Sequence, residues 1–288
     1  MLQQVETSGR GSQPLTAKGW GAFFFPPIFV GTHLEMEAHQ KLERDGRAFI
    51  KALDTEYKGR LVVVSQHGLV AIAEPARETA LEFLNEIMAI VLFRSIPAYS
   101  VRNADLVECS IDPENREIAR GHWLYGIIGS QAVLDVGFKG WLPKFYHPDN
   151  IRSFIKRAES MTASDNSHMD LMLLLETFTQ HQQSAYTSAF LLGWTTVVRW
   201  LQARESLIRD KGGNSTAGAS DGDWAAEERM EMLRLCGEID SQTYDRMKAL
   251  HRKWNAIINF AERATSSESE ACFHFVLSLL RNTTLAPE

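Results

Sequence analysis

The chain reads as an α+β protein, and three features of its 288 residues point there. Strand-like apolar runs are confined to the portion before about residue 150, helical periodicity dominates everything after it, and the length exceeds the roughly 100–200 residues of one typical domain. Two domains are therefore expected: an α+β unit over 19–150, then an all-helical bundle of four or five helices over 160–288.

Residues 1–18, "MLQQVETSGRGSQPLTAK", are polar and aperiodic, so a flexible tail is expected. "AFFFPPIFVG" reads as an extended buried segment in which Pro26 and Pro27 forbid a regular central strand. Residues 34–57 are charged, with apolar punctuation at Leu34, Leu42, Phe49 and Leu53, which predicts a surface helix interrupted at Gly46. "RLVVVSQHGLVAIA" predicts a hairpin turning at Gln66, His67 and Gly68.

From Pro75 to Phe93, Leu81, Leu84, Met88, Val91 and Leu92 recur at helical spacing behind a first-turn proline, the pattern of a buried helix. "AYSVRNADLVECSID" adds one or two strands, "PENRE" a turn, and "WLYGIIGSQAVLDVGF" a helix loosened by Gly126 and Gly129. Pro143 and Pro148 mark the boundary. Beyond them "DLMLLLETF", "AYTSAFLLGWTTVVRWLQ", "EERMEMLRLC", "YDRMKALHRKWNAIINFAERA" and "EACFHFVLSLLR" predict successive helices, with a disordered Gly/Ser/Asp-rich loop at 210–223 and an N-cap at Asp240 or Ser241.

Composition narrows the functional classes. A net charge of −6 argues against wholesale polyanion binding, which needs clustered Lys and Arg, and leaves a local basic strip as the remaining route. Cys109, Cys236 and Cys272 are far apart without CxxC spacing, so neither a zinc site nor a disulfide framework is expected; buried free thiols in a reducing cytoplasm are. No segment reaches the roughly 18 apolar residues of a membrane span. A soluble, cytoplasmic chain with no membrane partner is expected. "HLEMEAH" at 33–39 offers His33, Glu35, Glu37 and His39, but without HExxH order it reads as a surface helix, and "GFKGW" and "GWGAF" lack the context of a phosphate loop. No metal and no cofactor is expected.

"MKALHRKWNAIIN", 247–259, is the most informative stretch. Steps of about 100° per residue place Met247, Leu250, Trp254, Ile257, Ile258 and Ala261 on one core-facing side, and Lys248, Arg252, Asn255 and Asn259 on a polar stripe. Two cations and two amides in a row suit phosphates and base edges, or a solvated helix face. His251 stands at the border between stripe and core.

Taken with "SAFLLGWTTVVRWL" before it and "SSESEACFHFVLSLL" after it, this stretch resembles the HEPN superfamily (higher eukaryotes and prokaryotes nucleotide-binding domain) across about 165–282. The resemblance implies a compact bundle of four or five helices, usually homodimeric, of the kind found in toxin–antitoxin, phage-defence and RNA-processing proteins. Active members carry an Arg, commonly then Asn, and a His after about four to six residues; the imidazole moves the proton of the RNA 2′-hydroxyl and the guanidinium stabilises charge at phosphorus. Here Trp254 stands in the Arg position, Asn255 on Asn, and Asn259 in the His position, and an amide cannot shuttle a proton near neutral pH. Where many relatives have an acidic residue after the Trp of the long helix, this chain has Val198 and then Arg199. Arg246 and His251 satisfy the literal spacing, as do Arg60 with His67 and Arg116 with His122, so spacing alone decides nothing.

The expectation is a HEPN-like protein with a degenerate motif that binds RNA or a nucleotide through Lys248, Arg252, Asn255 and Asn259, in a defence setting, while the N-terminal unit senses a trigger or holds a protein partner. Two rivals stand beside it: a metal-independent endoribonuclease using His251 and Arg252 as catalytic residues, and a non-catalytic scaffold that dimerises or binds protein.

Overall fold

A computed structural model describes residues 16–24, 28–32, 34–35, 50–66, 68–119, 144–211 and 225–284. The fold is mixed, an antiparallel sheet followed by a helical region, in agreement with the α+β class. The chain divides into two compact units, one of residues 1–23, 27–84 and 102–156, the other of 24–26, 85–101 and 157–288.

The first unit is built on six strands in the order β3-β4-β5-β1-β6-β7, with a separate parallel pair, β2 and β8. They are β1 (Ala17–Phe23), β2 (Ile28–Val30), β3 (Lys51–Tyr57), β4 (Arg60–Ser65), β5 (Leu69–Ile72), β6 (Val107–Asp112), β7 (Glu117–Ala119) and β8 (Lys144–Tyr146). The β4–β5 hairpin forms where the two β-branched runs predict it. Val63, Leu69, Ala71, Cys109, Ile111 and Ile118 make one continuous buried cluster on the sheet.

Three expectations are corrected here. Ala17 and Lys18 belong to β1 and not to a tail; residues 1–15 lie outside the described residues. β1 is also a central strand, paired antiparallel to both β5 and β6, and ends before the two prolines. Its glycines carry the explanation: a Cβ on Gly19 would stand 2.4 Å from the Ile72 carbonyl oxygen, and one on Gly21 would be 3.0 Å from that of Val70. Only a residue without a side chain lets the neighbouring backbone come that close.

The third correction concerns the predicted helix over 34–57, whose last third is strand β3. Leu53, Thr55 and Tyr57 are buried in alternation with Asp54 and Glu56, a period of two that mimics charged helical punctuation when read by composition. Lys58 (φ 48) and Gly59 (φ 70) turn it tightly into β4. Residues 36–49, the predicted helix over 123–138 and most of the loop at 210–223 lie outside the described residues, although Asp210 and Lys211 are helical.

At the rim of this sheet, Arg116 Nε donates to Asp54 Oδ2 at 2.5 Å and Lys51 Nζ donates to the Asn115 carbonyl at 3.0 Å, so the β6–β7 turn reaches the β3 edge. Burial alone would raise the Asp54 carboxyl, but its hydrogen bond and charge contact with Arg116, joined by Lys51, hold it below the usual range.

The α-helices are α1 (Arg77–Phe93), α2 (Pro148–Met161), α3 (Asp165–Gln182), α4 (Tyr186–Lys211), α5 (Ala226–Leu235), α6 (Ser241–Phe260) and α7 (Ser266–Thr284). The last five occupy the segments where helical periodicity predicts them. In the helical unit, α4 packs along α3 and α7, and Gly193 makes the second contact close: its missing Cβ would meet Cys272 Sγ at 2.7 Å. α5 is tied to α4 by a buried ion pair, Arg229 Nε to Glu205 Oε2 at 2.7 Å, with Arg209 on the other carboxylate oxygen at 2.5 Å. Charges this well covered keep their position because losing either partner would strand the other.

Cys109 and Cys272 are buried as expected, and desolvation pushes each thiol up to about 12; Cys236 departs from the expectation and is exposed. No helix among the described residues is long and apolar enough to cross a membrane.

Gly193→Ala gains up to about 1 kcal/mol of helix propensity but must displace a fully buried sulfur, a cost of roughly 1–3 kcal/mol. The expected net result is destabilisation of about 1 kcal/mol in denaturant unfolding, partly relieved when Cys272→Ala is added.

Candidate functional site

The site grows from α6. Asp240 is its N-cap, accepting from the Thr243 amide at 2.6 Å, and that bond holds the carboxyl below its ordinary value. The helix ends at Ala261, left-handed at φ 54, whose backbone N–H donates a hydrogen bond to the Ala256 carbonyl. Between these caps Met247, His251 and Ile257 are buried, while Lys248, Arg252 and Asn259 are exposed.

His251 is only 8% exposed, and four groups surround its ring. The indole of Trp194, from α4, stacks on it with centroids 5.4 Å apart, and that of Trp254 does so at 5.7 Å and 16°. Nδ1 lies 3.1 Å from Glu227 Oε1 of α5, and Nε2 lies 3.4 Å from Asn255 Nδ2. A carboxylate can only accept, which places the proton on Nδ1, and the Asn255 amide then donates to Nε2. Both nitrogens are engaged, and the two indoles, their own centroids 6.3 Å apart, pack against the ring from neighbouring directions.

The other predicted residues separate around the helix. Arg252 and Asn259 stay together on the open face and make no hydrogen bond or ion pair among the described residues. Asn255 leaves the stripe by turning its amide to His251. Arg246, the literal spacing partner of His251, emerges about 140° around the axis from it. Ile258 and Ala261, assigned to the core side, are exposed, Ile258 to 55%. α5 explains the first: it covers α6 from Tyr244 back to His251, and its first residue, Ala226, immediately precedes the Glu227 that holds His251.

Between α5 and α6 lies a cleft of about 250 Å³ lined by Glu227, Glu228, Met230, Glu231, Tyr244 and Lys248. Lys248 thus faces three carboxylates, its ammonium 5.7 Å from the Tyr244 ring. Each carboxylate already has a partner: Glu227 has His251, Glu228 accepts from the Ala225 amide, and Glu231 is gripped by Arg234. The Arg234 bonds, then that of the Tyr244 hydroxyl, hold the Glu231 carboxyl low, and the bond to Glu231 raises the Tyr244 hydroxyl. The Val198 position of the long helix is followed by Arg199, whose Nε donates to Asp170 Oδ1 at 2.8 Å; burial raises that carboxyl against the pull of Arg199.

Trp194 and Glu227 are the residues that sequence reasoning misses. They reach His251 from α4 and α5, and no local spacing announces either.

If His251 is a packing group, His251→Phe keeps the stack while His251→Ala empties it. The alanine variant should lose about 3 kcal/mol and the phenylalanine variant markedly less, read from thermal unfolding; equal losses would contradict that role. Comparison with protein-family models, with curated proteins and with solved structures finds no match to this chain.

Proposed function

We propose that the chain is a HEPN-like protein whose helical unit binds RNA or a nucleotide without cleaving it. The observation that carries this reading is the state of His251, the sole histidine of α6: both nitrogens are hydrogen-bonded and the ring is buried against Trp194 and Trp254, while position 259 holds an amide. A general base needs a free nitrogen within reach of the proton it takes. Arg252 lies next to it in sequence but leaves the helix about 100° away.

Binding falls to Lys248, Arg252 and Asn259, which keep the stripe after Asn255 turns inward. The acidic cleft beside Lys248 weakens its pull on phosphate and leaves Arg252 the stronger contact. A scaffold role has its own support: Ile258 and Phe260, 55% and 77% exposed, give the end of α6 an apolar tip suited to protein contact, a second copy included. The proposed setting is cytoplasmic defence, with the sheet unit engaging a trigger or protein partner.

Purified full-length protein is tested with labelled single-stranded RNA in the absence of metal. The RNA is expected to stay intact, and Lys248→Ala with Arg252→Ala to weaken binding about tenfold while lowering the salt slope by roughly 1.4, or about 0.7 per lost contact. Metal-independent scission abolished by His251→Ala would establish the ribonuclease instead. Unchanged RNA affinity together with persistent dimers would establish the scaffold.

A further inference from the structure

A carboxylate lies deep in α1. Glu86 is only 1% exposed, on the same helix as the buried Leu84, Ile87 and Ile90, and carboxylates at that depth are paired or coordinate a metal. Glu82, one turn earlier on this continuous helix, shares its face and is exposed. His168 comes from the first turn of α3, behind the Ser164 N-cap, with its side chain 31% exposed. Its Nε2 lies 3.4 Å from Glu86 Oε1. One ligating atom from each of the three residues lies within 4.8 Å of the other two.

Distance separates two readings of this contact. A charge-assisted hydrogen bond from an imidazolium to a carboxylate closes to about 2.7–2.9 Å. Two ligands of one tetrahedral ion, each roughly 2.1 Å from it, stand about 3.4 Å apart, and that is the separation of His168 Nε2 from Glu86 Oε1. The exposed Glu82 side chain has the freedom to close on the same point. Charge fits as well, since two carboxylates and a neutral imidazole together answer a divalent cation. Oxygen ligands alone would suit magnesium or calcium, whereas the imidazole moves the preference to a transition ion. Glu82 and His168 keep an entry path to solvent, and three protein ligands leave a coordination position for water.

We propose that Glu82, Glu86 and His168 bind a divalent transition-metal ion of the zinc type, joining α1 to α3. Glu86 is the buried anchor, His168 Nε2 selects against magnesium and calcium, and Glu82 closes from the solvent side. The two helices are far apart in sequence, so no local motif announces the site and a reading of spacing alone expects no metal. None of the three residues belongs to the α6 stripe, and the proposal does not rest on RNA binding.

The test uses the full chain, stripped with a chelator and dialysed, then titrated with Zn(II) and Co(II), with Mg(II) as control, and read by calorimetry, visible absorption and thermal shift. Zn(II) should bind and raise the melting temperature where Mg(II) does not, and Co(II) should develop the ligand-field absorption of a protein-bound ion. Glu82→Gln, at an exposed position, should weaken binding about tenfold or more while melting like the parent in the absence of metal. His168→Ala should weaken it at least as much and remove the Co(II) absorption. The Lys248→Ala, Arg252→Ala variant should take up Zn(II) as the parent does, which separates this site from the RNA reading. The proposal is overturned if Zn(II) behaves like Mg(II), or if Glu82→Gln or His168→Ala titrates like the parent. It is equally overturned if His168→Ala changes only the melting temperature without metal, the result expected of a plain His168–Glu86 ion pair.

Discussion

A buried imidazole packed against two neighbouring indoles is the contact on which the helical unit's candidate site depends. Trp194 reaches it from α4, Trp254 from its own helix, and Glu227 fixes its Nδ1 from α5. Three helices are thereby tied at one ring. The exposed character of Arg252 follows from the same arrangement: with His251 turned inward, one step of about 100° along α6 carries the next residue to the solvent side. The Glu205–Arg229 pair holds α5 against α4 at the level that makes this possible.

Charge is sorted by place in this chain. Acidic groups line the α5–α6 cleft, but each is partnered, so the cleft is electrostatically quiet for its composition. At the end of α1, by contrast, Arg281 holds the Phe93 carbonyl and the Ser95 hydroxyl, and it shares the Phe93 ring with Arg94. Net charge hides this division. A value of −6 describes solubility and long-range attraction, not the sign of any one site.

Helices are legible in the sequence where the apolar period runs for many turns, as in α1, α4 and α6. Strand β3 escapes because its inward positions include Thr55 and its outward ones are Lys51, Asp54 and Glu56, so composition speaks for a surface helix while only the alternation speaks for a strand. β1 escapes for the opposite reason: two of its inner positions are glycines, silent on any hydropathy scale, chosen for what the adjacent backbone does. The site is legible only in part. Helical projection separates Arg252 and Asn259 from Met247 and Ile257, but the fate of His251 is decided by Glu227, 24 residues away, and by a tryptophan on another helix. Ile258 shows the limit of projection, which assumes a neighbour along the whole helix where α5 covers only part.

The bridge from Arg116 and Lys51 to the β3 rim has a further consequence. A bare outer strand is a template onto which another chain can add its own backbone, and charged side chains held across it obstruct that addition. Recruitment of a foreign strand at this border is therefore disfavoured.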